Sequence, residues 1–240
     1  MAKRVPEGPA PDPAVQKLRV QYAKRGRLRF SSTRDFQRAL ERALRRAQVP
    51  MAFSAGFHPH PRISYANAAP TGTASEAEYF EIQLRERREP AQVLDALDVA
   101  LPDGLDILTV VEAQPGALAD RLQASEWRLD FAAVAPTDLR AAEQAFLAES
   151  LVEVTRMMKS GPRTFDVRAA ALATAVSELA DGSRLEVTLR HTAPAVRPDD
   201  LLNGLRAVSG LEVPRSPLVT RLRQGVLQDD GSVSDPLETA

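Results

Sequence analysis

The run Gly56-Phe57-His58-Pro59-His60-Pro61-Arg62 gathers the groups of this chain best suited to chemistry, including two of only three histidines. Imidazoles titrate near neutral pH, so a His-Pro-His pair beside a guanidinium can exchange protons and offset negative charge. The prolines fix φ and stiffen the segment. Three chemistries fit these residue types. His58 and His60 could share protons at a phosphodiester with Arg62 facing the developing charge, a metal-independent RNA cleavage. They could ligate a metal, but a tetrahedral site takes further protein ligands. His191, Asp35, Glu76 and Glu78 could supply them only if folding gathers them. We assign no metal and no cofactor. The third chemistry is recognition, in which Phe57, His58 and His60 form a stiff binding loop, and this reading is preferred.

Directly upstream, Arg34, Arg38, Arg42 and Arg45 recur at spacings of four, four and three, which puts them on one face of a helix. With Arg25, Arg27, Arg29, Arg46 and Arg62 they could follow a phosphate backbone, while Tyr22, Phe57 or Tyr65 stacks on a base. The same cations could instead meet an acidic protein surface. The charge balance agrees: residues 1–62 hold 14 Lys and Arg against 4 Asp and Glu, a net +10, and the rest of the chain sums to −11. Asp35, His58, His60, Arg62 and Glu78 are expected to border one cleft between the arginine helix and the loops that follow it. Glu76, Glu78 and Glu81 read as salt-bridge partners for nearby arginines. Pro70-Thr71-Gly72-Thr73 lacks the glycine pattern and following lysine of a phosphate loop.

The chain has no cysteine, which excludes disulfides, thiolate catalysis and cysteine-ligated iron–sulfur clusters. No apolar run approaches the roughly 20 residues of a membrane helix, so a cytoplasmic protein with no membrane partner is expected. Residues 1–16 and 228–240 read as a flexible lead and a flexible acidic tail.

The elements that must position these groups follow from periodicity. Lys17 to Phe30 predicts a strand bent at Gly26 and continued beyond it. Ser32 and Asp35 form a capping-box pattern that opens a helix ending before Val49-Pro50. Short strands over 51–53 and 62–65, a strand over 78–85, a helix over 91–101 and a strand over 105–111 complete the unit. That order, β-α-β-β-α-β, predicts a ferredoxin-like domain over 17–115. Residues 121–227 predict a second one: strand 127–131, helix 136–147, strands 151–158, 163–170 and 184–191, helix 199–208 and strand 218–226. The alanine-rich segment 171–179 fits either helix or strand. The fold class is α+β, two tandem ferredoxin-like domains.

Phe30-Ser31-Ser32-Thr33-Arg34-Asp35, the Arg38/Arg42/Arg45-Arg46 helix, Gly56 to Pro61, Pro70-Thr71-Gly72, Ser75-Glu76 and Glu78-Tyr79 occur in an order that resembles the radical-SAM-linked (radical-SAM-associated) bacterial family in its actinobacterial form. The resemblance implies a module fused to, or encoded near, a radical-SAM protein, and neighbouring ribonuclease and ribosomal-protein genes imply RNA metabolism. The expected function is a non-catalytic accessory protein that binds RNA or an RNA-linked partner. Lacking cysteine, the chain is not itself a radical-SAM enzyme. Relatives commonly carry a histidine where this chain has Thr33, two residues before Asp35. Threonine can cap or donate a hydrogen bond but does not titrate near neutral pH, so the substitution favours binding over catalysis there.

Overall fold

The computed structural model describes residues 11–238. Residues 1–10 of the expected lead and the last two residues of the expected tail lie outside the described residues. The protein is a mixed α+β chain of two compact units, the first ending at Ala119 and the second running from Asp120 to Pro236.

The first unit runs β1 (Gln16–Lys24), α1 (Thr33–Arg46), β2 (Ile63–Ala66), β3 (Ala74–Leu84), α2 (Pro90–Ala100) and β4 (Leu105–Glu112). β1 pairs antiparallel with β4 on one side and β3 on the other, and β2 adds to β3, giving the order β4-β1-β3-β2. Gly26–Phe30, expected to continue the first strand, is a 3-10 turn. Gly26 takes φ +52°, a conformation glycine adopts without penalty, and this ends the strand. Leu18, Val20 and Tyr22 of β1 share one buried core with Phe80 and Ile82 of β3, Phe36, Leu40 and Leu44 of α1, and Leu97 of α2. Each such side chain contributes about 1.5–3 kcal/mol on burial.

Several alternate residues of β1 and β3 are buried as well, among them Arg19, Ala23, Tyr79 and Glu81. Arg19 is 1 % exposed, with its Nε 3.0 Å from Glu81 and Nη2 2.6 Å from the Gly116 carbonyl. Lys17 Nζ lies 2.6 Å from the other oxygen of Glu81. Glu81 therefore serves as the expected salt-bridge partner.

The second unit runs β5 (Ala124–Ala132), α3 (Pro136–Ala148), β6 (Glu153–Met158), β7 (Gly161–Asp166), β8 (Ala171–Leu179), β9 (Gly182–Arg190), α4 (Pro198–Ser209), β10 (Leu218–Leu227) and β11 (Val233–Ser234). Its sheet has the antiparallel order β10-β5-β9-β8. The alanine-rich segment settles as β8, because its register against β9 buries Ala171 and half-buries Val176 on the core side. Propensity yields here to pairing. β6 and β7 form a separate hairpin. The simple β-α-β-β-α-β order expected for this unit is thus interrupted by two additional strands. An ion pair between Arg156 of β6 and the buried Asp200 of α4 ties the hairpin to the unit, and burial pushes the Asp200 carboxyl above its usual range.

The segment after Leu227, expected as a flexible tail, folds back. β11 pairs with β10 and Val233 is 5 % exposed.

Candidate functional site

Helix α1 begins as its sequence dictates. The Ser32 hydroxyl accepts the Asp35 N–H at 3.2 Å, and the Asp35 carboxylate accepts the Ser32 N–H at 3.2 Å and its hydroxyl at 2.7 Å. These bonds, followed by the Arg38 and Arg34 cations, hold the Asp35 carboxyl below the usual carboxylate range. Asp35 is therefore committed to the cap.

The apolar face of α1 buries Phe36, Leu40, Ala43 and Leu44. The other face carries Arg34, Arg38, Arg42 and Arg45, all exposed. At 3.6 residues per turn the four lie within an arc of about 80°. None of them enters an ion pair or a side-chain hydrogen bond among the described residues. Arg46 points elsewhere and donates to the Ala100 carbonyl. Two further arginines of the first unit are engaged: Arg19 with Glu81, and Arg25 with Glu76 and Asp106, which raise its pKa above the ordinary arginine value.

The His-Pro-His segment is a closed loop at the other end of this helix. A bridge between Phe53 and Pro61 and paired bonds between Ser54 and His60 pinch its base. Gly56 at φ +137° provides a backbone conformation that other residues rarely adopt. Arg62 fastens the loop inward, with Nε 3.2 Å from the Phe53 carbonyl and Nη1 3.1 Å from Gln83. Phe57 is 59 % exposed, and His58 and His60 are exposed. Neither imidazole has a hydrogen-bond partner among the described residues.

The single cleft expected from the sequence is divided. Arg62 is bonded beside Gln83, whereas Glu78 lies five residues earlier on β3, roughly 17 Å away along an extended strand. Glu78 belongs instead to a recess at the N-terminal end of α1. This recess encloses about 350 Å³, its open mouth included, and is lined by Ser31, Ser32, Thr33, Lys24, Tyr65 and Glu78 among others. The Glu78 carboxylate is 1 % exposed and accepts the Ala69 N–H at 2.9 Å. Lys24 Nζ donates to the carbonyls of Ala69 and Pro70, each at 3.3 Å. The two charges thereby pin the loop between β2 and β3. Tyr22 and Phe36 stack at 4.1 Å beneath it, and burial, with Glu41 adding to it, pushes the Tyr65 hydroxyl up to about 12.

Lys24 as a lining residue escaped the sequence reading, although a signal existed: it falls in phase with the inward Leu18, Val20 and Tyr22. Thr33 does line the recess.

A second concavity flanks the C-terminal half of α1. Glu41, Leu44, Arg45 and Gln48 form one wall, Val49, Pro50, Met51, Phe53 and Pro61 the floor, and Arg85, Glu86 and Arg88 the far rim. It encloses about 1170 Å³, its open mouth included. Among the described residues, no three His, Asp or Glu side chains gather to hold a metal.

Residues 17–198 match the family described as "Uncharacterized protein conserved in bacteria (DUF2344)". No curated protein matches the chain.

Proposed function

We propose that this chain, which belongs to the DUF2344 family of bacterial proteins, is a non-catalytic cytoplasmic module that binds RNA along the arginine face of α1. The observation that carries the reading is the set Arg34, Arg38, Arg42 and Arg45: four exposed guanidiniums on one arc, with no ion pair or side-chain hydrogen bond among the described residues. A chain of pI near 6.3 that clusters these cations on one exposed face presents a local anion-binding surface. Arginine suits phosphate because its planar fork offers two parallel donors. Phe57, at the tip of a pinched and proline-stiffened loop, adds an exposed aromatic surface near the C-terminal end of the same unit's helix.

The resemblance to radical-SAM-linked proteins supplies the expected partner, a separate radical-SAM protein to which this module is accessory. The fold reading of two ferredoxin-like domains has support in the strand order of each unit. The orders β4-β1-β3-β2 and β10-β5-β9-β8 correspond, with β6 and β7 as an insertion in the second. The enzymatic reading of the sequence takes His58 and His60 as acid and base; among the described residues neither ring has a hydrogen-bonded side chain to orient it.

Fluorescence anisotropy with a labelled single-stranded RNA tests the function. The double reversal Arg38→Glu/Arg42→Glu is expected to abolish binding to all sequences alike, while His58→Gln/His60→Gln retains most of the affinity. Full RNA binding by the reversal variant refutes the assignment. Turnover of RNA by the wild type that the histidine variant loses would make the protein a nuclease.

A further inference from the structure

The arginine track and the groove beside it share a residue. Arg45 ends the line Arg34-Arg38-Arg42-Arg45 and also stands in the groove wall with Glu41, Leu44 and Gln48. Arg34, Arg38 and Arg42 succeed one another with a rise of about 6 Å along the helix. That interval is comparable to the spacing of neighbouring phosphates in an extended single strand. A strand laid along this line reaches Arg45 with its next base over the groove.

The groove floor offers what a base face requires. Met51, Val49 and Pro61 make it apolar, and Phe53 is 42 % exposed although its neighbour Met51 is buried. The backbone of Phe53 is held on both sides, by the bridge to Pro61 and by the Arg62 guanidinium on its carbonyl, so its ring is presented from a fixed platform. At the rim Arg85 faces Glu86 and Asp12 and Arg88 faces Glu86, which leaves Arg45, beside Glu41, as the rim cation with no ion pair among the described residues. An acidic peptide would find the same rim. It would not account for the four arginines that lead about 16 Å away from the groove along α1, with Glu41 and the capping Asp35 the carboxylates set among them.

We infer that the groove seats an unpaired nucleobase, stacked against Phe53, of an RNA strand whose phosphates lie on α1. The inference rests on the RNA reading of that helix and adds its substrate class: single strands, because duplex bases are turned inward and cannot enter a side groove. Stacking of this kind is sequence-tolerant, since every base has a π-face.

The test compares three labelled probes on the full chain: a 12-nucleotide single-stranded RNA, a blunt RNA duplex and inorganic polyphosphate. Phe53→Ala is expected to weaken the single strand by about five-fold to a hundred-fold, the range measured for loss of one stacked base. It leaves polyphosphate unchanged. Phe53→Trp restores the single-strand affinity, which a merely structural role for the ring would not produce. Unaltered single-strand binding by Phe53→Ala, with Arg38→Glu/Arg42→Glu still abolishing it, overturns the groove assignment and leaves the arginine reading intact. Full binding by the arginine reversal overturns both. Phe53-dependent capture of an acidic, leucine-bearing peptide by a protein that ignores the RNA also overturns the groove assignment.

Discussion

Neutralising two arginines of α1 should change the salt dependence of RNA binding by a calculable amount. Four exposed guanidiniums, Arg34, Arg38, Arg42 and Arg45, face solvent without an ion pair or side-chain hydrogen bond among the described residues. If each neutralises one phosphate of a single strand, log K falls against log salt with a slope of about −2.8, at roughly −0.7 per contact. Affinity then drops about 50-fold between 50 and 200 mM salt. Arg38→Gln/Arg42→Gln removes two contacts, so the slope becomes about −1.4 and the same salt interval costs only about 7-fold. Glutamine and arginine have similar helix propensity, and the two side chains are exposed, so the melting temperature should not move. The assay is anisotropy titration at several salt concentrations on both proteins, with a thermal melt as control. An unchanged slope in the double variant would show that the phosphates lie elsewhere. A flat slope in the wild type would remove electrostatic RNA binding altogether.

Three further outcomes test the structure around the site. Glu81→Ala should destabilise the fold by about 3–5 kcal/mol in denaturant unfolding, because it strands a buried Arg19 guanidinium; a loss under about 1 kcal/mol would contradict a buried pair. Burial, followed by the Arg221 cation, holds His191 below its ordinary pKa of 6.5, with Nδ1–H donating to the Leu122 carbonyl and Nε2 accepting from Ser125, each at 2.7 Å. The unfolded chain therefore binds the proton more readily, so this contribution is complete above pH 6.5 and is lost as pH falls through the lower folded value. Denaturation midpoints should drop on acidification in the wild type and less so in His191→Gln; identical pH profiles would refute the neutral buried ring. Gly225→Ala would place a Cβ 1.8 Å from the Ser234 carbonyl, so β11 must leave β10, and limited proteolysis should then cut beyond Leu227. Equal resistance to cleavage would show that the carboxy-terminal segment is held by other contacts.

Local patterns carried much of the organisation. The Ser32/Asp35 cap, the apolar stripe Phe36-Leu40-Leu44 and the proline at position 50 were enough to define α1, because capping and periodicity act within a few residues. The exposed arginine face follows from the same 3.6-residue period. The bend at Gly26 was legible, but the 3-10 turn over Gly26–Phe30 and the strand state of β8 were not, since the first depends on how far β1 can pair and the second on a neighbour, β9, that overrides alanine's helix preference. The tail's return as β11 likewise needed a partner strand.

Site geometry was less legible still. Asp35, Glu78, His58, His60 and Arg62 all carry suitable chemistry, and sequence proximity suggested one cleft. Which end of a strand or helix a residue occupies is set by register, and the β2–β3 register sends Arg62 toward Gln83 and leaves Glu78 beside Ala69. The amino-acid sequence by itself determined the arginine stripe, the stiffness of the His-Pro-His loop and the absence of thiol chemistry, all properties of residue type and short-range spacing. Only the tertiary structure decided that the stripe forms no ion pair or side-chain hydrogen bond among the described residues, that Asp35 and Glu78 are spent on cap and loop, and that Arg45 borders an aromatic groove, because those facts depend on the contacts the folded chain makes.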